Sequence, residues 1–278
     1  MSKQPTVCLD AGHYGKYNRS PVVPEYYESD MVWTLQLLLK ERLERKGITV
    51  ITTRTDKEKD LPLVDRGEAA KGADLFLSLH SNAAETAAPD WVVGICFAKD
   101  EGSDIDERSR QIAIRLSQTV AQVMGVDYQV TTRNSSKDRD GDGRMDDYYG
   151  VLRGAYNVGT VGVILEHGFH THTDTARWLL AEENLQKLAD AEAAVIAAWL
   201  GIPEEKLVEI QLPVLKKGVK SDTVKALQAL LVGYGQSIAV DGSFGGATDK
   251  AVRSYQQANS LAIDGSVGPA TWAKLLGR

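Results

Sequence analysis

The chain has 278 residues, which is long for one domain of average size and suits a medium domain followed by a small one. Hydrophobic residues make up 43% and charged residues 25%, so a sizeable hydrophobic core can form. The formal net charge is −6 and no run of Lys and Arg stands out, which argues against nucleic acid or an anionic membrane surface as a partner. The longest apolar stretch, near 193–202, is too short to span a bilayer.

The N-terminal sequence has no apolar stretch of signal-peptide length before its first predicted strand. We therefore expect a soluble chain that is exported by other means, or a mature form whose leader has been removed. Cys8 and Cys96 each lie in an apolar run typical of a strand. We interpret them as buried thiols rather than as a disulfide or a nucleophile.

Apolar runs alternate with amphipathic segments through the first 200 residues. The pattern predicts, in chain order, a strand at 6–9, a helix at 29–46, a strand at 48–53, a helix at 62–71, strands at 75–79 and 91–98, a helix at 104–124, a strand at 161–165 and a helix at 182–200. The first helix is expected to begin at Ser29 or Asp30 and to stop at Gly47. This alternation indicates the α/β class, with a twisted, mostly parallel sheet and helices on both faces.

A second, smaller domain is predicted at the C-terminal end. Residues 201–211 contain Pro203 and an acidic cluster, and we interpret them as a linker between a first domain at 1–200 and a second domain at 212–278. The second domain is predicted to contain three helices, near 221–233, 248–258 and 271–276.

This second domain contains an internal repeat. The segment 241–248 (DGSFGGAT) recurs as 264–271 (DGSVGPAT). Each copy is a glycine-containing turn that ends in threonine, Thr248 or Thr271, and threonine is a suitable N-cap for the helix that follows. A compact three-helix domain is the simplest interpretation.

Residues able to bind metal follow three of the predicted strands. His13, His80 and Glu166 come at or just after the strand ends, and Glu28 lies just before the helix that returns from the first strand. The carboxyl ends of parallel strands meet at one edge of an open sheet, so we expect these four side chains to lie together. Two His and one Glu would leave zinc an open position for water, and the other Glu could accept a proton. Strand positions alone leave open which glutamate ligates.

The other three histidines compete for the metal role. His167 follows Glu166 in an extended segment, so the two side chains should point to opposite faces. His170 and His172 are expected in a loop that could approach the site. For both we favour a substrate contact or solvent exposure over metal ligation.

Four ordered segments carry a resemblance to a known family. LDAGHYG, ESDMVWTLQLLLKERL, PLVDRGEAAKGADLFLSLHSNA and VGVILEHGF, within about residues 5–200, resemble the zinc N-acetylmuramoyl-L-alanine amidases of the amidase-3 type. The resemblance implies His13, Glu28 and His80 as ligands of Zn²⁺ and Glu166 as the catalytic carboxylate. The chain departs from the family pattern at Tyr14 and Gly15, at His167, where an apolar or small residue is common, and in an insert before Tyr148.

The second domain is similar to the peptidoglycan-binding-1 family. The resemblance rests on Leu227-Gln228, on the DGSFG segment at 241–245 and on Thr271-Trp272. Together the two resemblances imply hydrolysis of the amide bond between N-acetylmuramic acid and L-alanine in bacterial peptidoglycan, at the cell wall and outside the cell. Arg153 and Asn82 are our candidates for substrate binding, Arg153 through a bidentate contact with a stem-peptide carboxylate.

Two alternatives to the amidase stay open at this point. One is a zinc metallopeptidase that cuts within the stem peptide, and the other is a non-catalytic wall-binding protein. A Ca²⁺ loop at 138–149 is a separate prediction, because Asp138, Asp140, Asp142 and Gly143 follow the start of an EF-hand loop, with Asp146 at the ninth position. The twelfth position is Tyr149 instead of a bidentate glutamate, so a solvated acidic loop competes with the calcium interpretation.

Overall fold

A computed structural model describes residues 4–85, 90–98, 104–139, 146–203 and 212–277. The chain forms two compact units, residues 1–205 and 206–278. Within the described ranges, no helix combines the length and the apolar character that crossing a membrane requires. Cys8 and Cys96 are buried thiols, as predicted, and burial raises the pKa of Cys8 to about 12.

The first unit contains six strands and six helices in its described part. Its elements are β1 Thr6–Ala11, α1 Glu28–Arg45, β2 Thr49–Thr52, α2 Leu63–Glu68, β3 Leu75–Asn82, β4 Trp91–Cys96, α3 Asp104–Met124, β5 Asp127–Thr131, α4 Gly150–Asn157, β6 Val161–Phe169, α5 Thr173–Leu180 and α6 Glu182–Trp199. The strands form one sheet in the order β2-β1-β3-β6-β4-β5. All neighbouring strands are parallel except β4 and β6, which are antiparallel, so the predicted mostly parallel sheet is confirmed.

Helices cover both faces of this sheet, as predicted. Val7 and Leu9 of β1 belong to one buried cluster, and Cys8 between them belongs to the other, because side chains of a strand alternate between its faces. The larger cluster also contains apolar side chains of α1, α3, α5 and α6. The smaller one contains side chains of α4, including Leu152 and Ala155. The sheet is therefore buried between two helical layers.

The start of α1 differs from the prediction. Ser29 and Asp30 are not its N-caps, because the helix begins at Glu28 and follows Tyr27, whose backbone is extended. Ser29 Oγ instead accepts a hydrogen bond from the backbone N–H of Tyr17, at 2.8 Å. Glu28 thus lies in the first turn of the helix, which fixes its side chain more rigidly than a loop position would.

The second unit contains the three predicted helices, α7 Asp222–Gly233, α8 Gly246–Ala258 and α9 Pro269–Leu275. The predicted N-caps Thr248 and Thr271 are wrong, because each helix begins two residues earlier and the threonines lie inside it. Both threonines are buried and contact a glutamine of the preceding helix.

Each copy of the repeat is organised by that buried glutamine. Gln228 of α7 accepts a hydrogen bond from Gly242 N–H (2.8 Å), and its Nε2 lies 2.9 Å from Asp241 Oδ1, 3.1 Å from Ser243 O and 3.1 Å from Thr248 Oγ1. Gln256 of α8 makes the equivalent contacts in the second copy, with Gly265 N–H, Asp264, Ser266 and Thr271. The repeated sequence is therefore a repeated glutamine-centred turn.

Candidate metal centre

His13, Glu28 and His80 converge at the carboxyl-end edge of the sheet. His13 Nε2 lies 3.2 Å from Glu28 Oε2, and His80 Nδ1 lies 2.9 Å from Glu28 Oε1. One ligand atom from each of the three residues falls within 4.8 Å of the others. Within the described residues, this is the group of His, Cys, Asp and Glu side chains that could hold a metal ion.

Buried arginines hold the loop that carries His13. Arg66 of α2 donates through Nη2 to the carbonyl of His13 (3.1 Å) and through Nη1 to that of Ala11 (3.3 Å). Arg54 also donates to the carbonyl of Ala11, at 2.6 Å. His13 itself has a φ of 60°, a conformation that a non-glycine residue keeps only where its surroundings impose it. These contacts fix the direction in which the His13 imidazole points.

His80 is held by close packing as well as by Glu28. Gly12 follows β1, and a Cβ at this position would lie 2.3 Å from His80 Cε1. Only glycine therefore lets the imidazole of His80 pack against the main chain before His13. Burial by itself would lower the pKa of His80, but the hydrogen bond and negative charge of Glu28 raise it to about 9.

Glu28 is fixed through both of its carboxylate oxygens. Oε1 accepts a hydrogen bond from Ser81 N–H (3.0 Å), and Oε2 accepts one from Asn18 Nδ2 (2.7 Å). Burial opposes its ionisation, but hydrogen bonds and positive charge from His13 and His80 lower its pKa below the usual range. The carboxylate is therefore ionised and ready to ligate a cation.

Asn18 also lies at this group of residues, although no sequence pattern indicated it. Its Nδ2 contacts Glu28 Oε2 and lies 3.0 Å from His13 Nε2. Asn18 has a φ of 52°, a left-handed conformation that asparagine adopts more readily than most residues. An asparagine five residues after His13 was a weak signal, because it shows no regular spacing relative to a strand or helix.

Glu166 lies opposite His80 in the parallel pairing of β3 and β6. Its Oε2 is buried and has no hydrogen-bond partner among the described residues. Burial, and then the charge of Glu28, raise the pKa of Glu166 to about 7, against the opposing charge of His80. An unpartnered carboxylate oxygen with a pKa near neutrality suits a group that accepts and returns a proton.

The remaining histidines lie around this centre in three different roles. His167 is fully buried, and its ring contacts His80 O and Glu192 Oε1. His170 is also buried, stacks on Tyr26 and contacts Ser81, so the expected solvent exposure is wrong for this residue. His172 is the N-cap of α5, and its Nδ1 accepts from the backbone N–H of Thr175.

The two candidate substrate residues make local contacts. Arg153 donates through Nη1 to the carbonyls of Asp147 (2.7 Å) and Tyr148 (3.0 Å), which places it at the start of α4. Asn82, at the end of β3, accepts a hydrogen bond from the backbone N–H of Ala83 through its own Oδ1, at 2.8 Å. Substrate binding by either residue stays a prediction.

The calcium loop gains no support from the described residues. Asp140, Asp142 and Gly143 lie outside the described residues. Asp146 Oδ2 accepts a hydrogen bond from Arg139 N–H, at 2.8 Å, and lies 3.3 Å from the Arg139 guanidinium. The described part of the loop therefore shows Asp146 paired with Arg139.

The donor set of the convergent group fits zinc. Two imidazoles and one carboxylate are ligands that zinc prefers, whereas calcium and magnesium favour sites made of oxygen alone. Zinc–ligand distances of about 2.0–2.1 Å in a tetrahedral site separate neighbouring ligand atoms by roughly 3.3 Å. The 3.2 Å between His13 Nε2 and Glu28 Oε2 is close to that separation. Three protein ligands would leave a fourth position of a tetrahedral ion open.

Two regions of the chain match known protein families. Residues 7–198 match the N-acetylmuramoyl-L-alanine amidase family, and residues 220–275 match a family of peptidoglycan-binding domains. The catalytic domain of CwlV, an N-acetylmuramoyl-L-alanine amidase from Bacillus (Paenibacillus) polymyxa var. colistinus, has the same fold. It superposes with a TM-score of 0.57 at 20% identity, over 72% of this chain and 100% of that one.

Two curated proteins are also similar to parts of the chain. The protein YqiI of Bacillus subtilis is 29% identical over 189 residues, which cover 67% of this chain and 80% of YqiI. A zinc D-Ala-D-Ala carboxypeptidase of Streptomyces albus G is 44% identical over 64 residues, 22% of this chain. That match spans only 25% of the Streptomyces enzyme. With the family match over most of its length, the chain belongs to the N-acetylmuramoyl-L-alanine amidase family.

Proposed function

We propose that this protein hydrolyses the amide bond between N-acetylmuramic acid and L-alanine in peptidoglycan, with zinc held by His13, Glu28 and His80. The observation that carries the proposal is the convergence of these three ligands beside a buried glutamate oxygen, Glu166 Oε2, that has no hydrogen-bond partner among the described residues. Zinc, when bound, would polarise the scissile carbonyl and lower the pKa of the attacking water to about 7.

Glu166 acts as general base and then as general acid in this proposal. Its carboxylate accepts the proton of the attacking water and returns it to the alanine nitrogen as the amide bond breaks. A pKa near 7 suits both steps, because the group is neither a very weak base nor a very weak acid at neutral pH. The site thus separates two tasks: Glu28 stays ionised and ligates, and Glu166 transfers the proton.

The surrounding chain keeps this arrangement rigid. Ser81 N–H and Asn18 Nδ2 each bond one oxygen of Glu28, so the carboxylate cannot rotate freely. Arg66 fixes the carbonyl of His13. Fixed ligands and a fixed base lower the reorganisation that the reaction requires.

The second unit supports an action at the cell wall. Because residues 220–275 match peptidoglycan-binding domains, we propose that 212–278 form a domain that holds the enzyme on its polymeric substrate, while 1–200 form the catalytic domain. Binding through a tethered second domain raises the local concentration of substrate at the catalytic site. An extracellular or cell-wall location follows from the substrate.

A metallopeptidase is the second candidate function. The likeness to an enzyme named zinc D-Ala-D-Ala carboxypeptidase raises this possibility, but it covers only 64 residues, too few to include both His13 and His80. The family match over 7–198 favours the amidase, because it covers the residues of the candidate metal centre.

The product of digestion distinguishes these functions. Insoluble peptidoglycan is digested with the full chain, with and without a chelator, and the muropeptides are identified by mass spectrometry. The amidase predicts a new amino terminus on L-alanine and muramic acid left on the glycan. A new amino terminus at another residue would support the peptidase, and binding without any release would support a non-catalytic wall-binding protein.

A further inference from the structure

Strand β6 contains a bulge next to the candidate metal centre. His80 of β3 pairs with Glu166, but Asn82 pairs with Phe169, so a step of two residues in β3 faces a step of three in β6. Gly168, in the bulge, has a φ of 75°, a conformation that favours glycine. The strand that carries Glu166 therefore changes its register immediately after this residue.

The side chain of His167 is hydrogen-bonded to the main chain of His80, beside this bulge. His167 Nδ1 lies 2.9 Å from the carbonyl oxygen of His80. A carbonyl only accepts hydrogen bonds, so Nδ1 must carry a proton and donate it. The imidazole thus links the bulge of β6 to the backbone of the residue that supplies a metal ligand.

The other ring nitrogen of His167 is held from a helix. His167 Nε2 lies 3.0 Å from Glu192 Oε1 of α6, and both side chains are 0% exposed. The second oxygen of Glu192 has no hydrogen-bond partner among the described residues. Burying such a pair costs desolvation energy that a pair of apolar side chains would avoid. Stability alone does not account for a buried histidine and glutamate at this position.

We propose that His167, oriented by Glu192, is a positioning residue that fixes the main chain at His80 so that the His80 imidazole and the Glu166 carboxylate face the same ion. This inference rests on the proposed function. The hydrogen bond from Nδ1 to His80 O joins the two strands where their regular pairing is interrupted. Some groups do not bind the metal but orient a residue that does. Removing such a group typically changes metal affinity 10- to 100-fold.

The chain allows a matched pair of variants. In His167→Asn the amide nitrogen takes the place of Nδ1 and keeps the donor toward His80 O. In His167→Leu that donor is lost. Both changes are combined with Glu192→Gln, so that neither variant leaves a buried carboxylate without its histidine. The two double variants then differ in the hydrogen bond to His80 O.

Zinc affinity of the full chain, measured by competition with a chromogenic chelator, tests the proposal. We expect H167L with E192Q to lower the affinity about 10- to 100-fold, and H167N with E192Q to stay close to the unchanged protein. The visible spectrum of the cobalt-loaded protein should shift in the first variant only. A change in folding stability alone would not produce this difference.

Three results would overturn the inference. The two double variants could both keep full affinity, both lose it equally, or differ only in melting temperature. If H167L with E192Q does not fold, H167Q with E192Q replaces it, because Gln at position 167 places its amide toward residue 192 and not toward His80. Equal affinities of H167N with E192Q and H167Q with E192Q would again refute the inference. If the unchanged protein binds no zinc, the proposed function fails instead, so the two failures are distinguishable.

Discussion

His80 and Glu166 lie directly opposite each other in the parallel pairing of β3 and β6. His80 supplies a candidate metal ligand, and Glu166 is the candidate base. The hydrogen bonds between β3 and β6 therefore set the distance between the ligand and the base. Parallel strands are separated by about 4.8 Å, which keeps the side chains of paired residues adjacent. Glu28, from α1, then joins His80 and His13 from the side.

Loss of one imidazole should empty the metal site. His80→Ala and His13→Ala each remove one of three ligands, so we expect zinc content to fall from about one ion per chain to near zero, with loss of hydrolysis. Elemental analysis after dialysis measures this. His172→Ala is the control, because His172 caps α5 and lies outside the group of three ligands. A variant lacking His80 that kept its full zinc content would rule out the ligand assignment.

Helices α2 and α4 cross at two glycines. A Cβ on Gly67 would lie 2.1 Å from Val151 O, and one on Gly154 would lie 2.1 Å from Val64 O. We expect Gly67→Ala to destabilise the first unit by about 3 kcal/mol or more, because main-chain atoms cannot move aside cheaply. Urea denaturation measures the loss.

Gly233→Ala provides a control of opposite sign for that prediction. Gly233 ends α7, and a Cβ there would have no neighbour within 4 Å. Alanine should therefore be neutral or should stabilise the second unit by up to about 1 kcal/mol. Equal effects of the two changes would show that the close crossing of α2 and α4 is not rigid.

The glutamine-centred turns predict that two adjacent glutamines of α8 contribute differently to the stability of the second unit. Gln256→Ala removes the acceptor of Gly265 N–H and the donor to Ser266 O, and leaves these groups unsatisfied in the interior. We expect a loss of about 2–4 kcal/mol in the unfolding free energy of the second unit. Gln257 is exposed, so Gln257→Ala should change it by less than about 0.5 kcal/mol. Similar losses in both variants would contradict the role of Gln256.

The raised pKa of Asp147 predicts that the free energy of unfolding depends on pH in a specific way. Burial raises its pKa from 3.8 to about 6, although its carboxylate accepts hydrogen bonds from Ala98 N–H and Tyr149 N–H. The folded state therefore binds this proton more tightly than the unfolded state does. The contribution to stability is fully present below pH 3.8 and is lost as the pH rises through about 6.

The shift corresponds to about 3 kcal/mol between these limits. Asp147→Asn cannot ionise, so the free energy of unfolding should decline less between pH 4 and about pH 7 in this variant than in the unchanged protein. Urea titrations across that range provide the comparison. Parallel curves for the two proteins would show that Asp147 ionises normally.

Part of the site could be predicted from the sequence because it depends on strand ends. His13, His80 and Glu166 follow apolar runs, and the parallel sheet brings such positions together. The partners that hold them come from distant segments with no local pattern. Asn18 reaches Glu28 from a loop in left-handed conformation, and Glu192 reaches His167 from α6. Only the folded chain reveals these contacts.

Three elements of the first unit escaped prediction, β5, α4 and α5. β5 is mostly exposed along Asp127–Thr131, so its sequence does not alternate between apolar and polar residues. α4 and α5 are eight residues each, so each offers only about two turns of helical repeat. The six-residue α2 was predicted only as part of a longer range, 62–71. The helix starts at Thr248 and Thr271 were placed wrongly because a buried glutamine, and not the following helix, uses these hydroxyls.

The most direct test of the account measures zinc content and hydrolysis on the same preparation of the Glu166→Gln variant. It shows whether metal binding and proton transfer belong to different residues. The amide keeps the shape of the carboxylate but cannot accept the proton of water. We predict about one zinc ion per chain, as in the unchanged protein, and hydrolysis lowered by about 10²- to 10⁴-fold. A Glu166→Gln protein that hydrolyses peptidoglycan at the full rate, or one that has lost its zinc, would contradict the account.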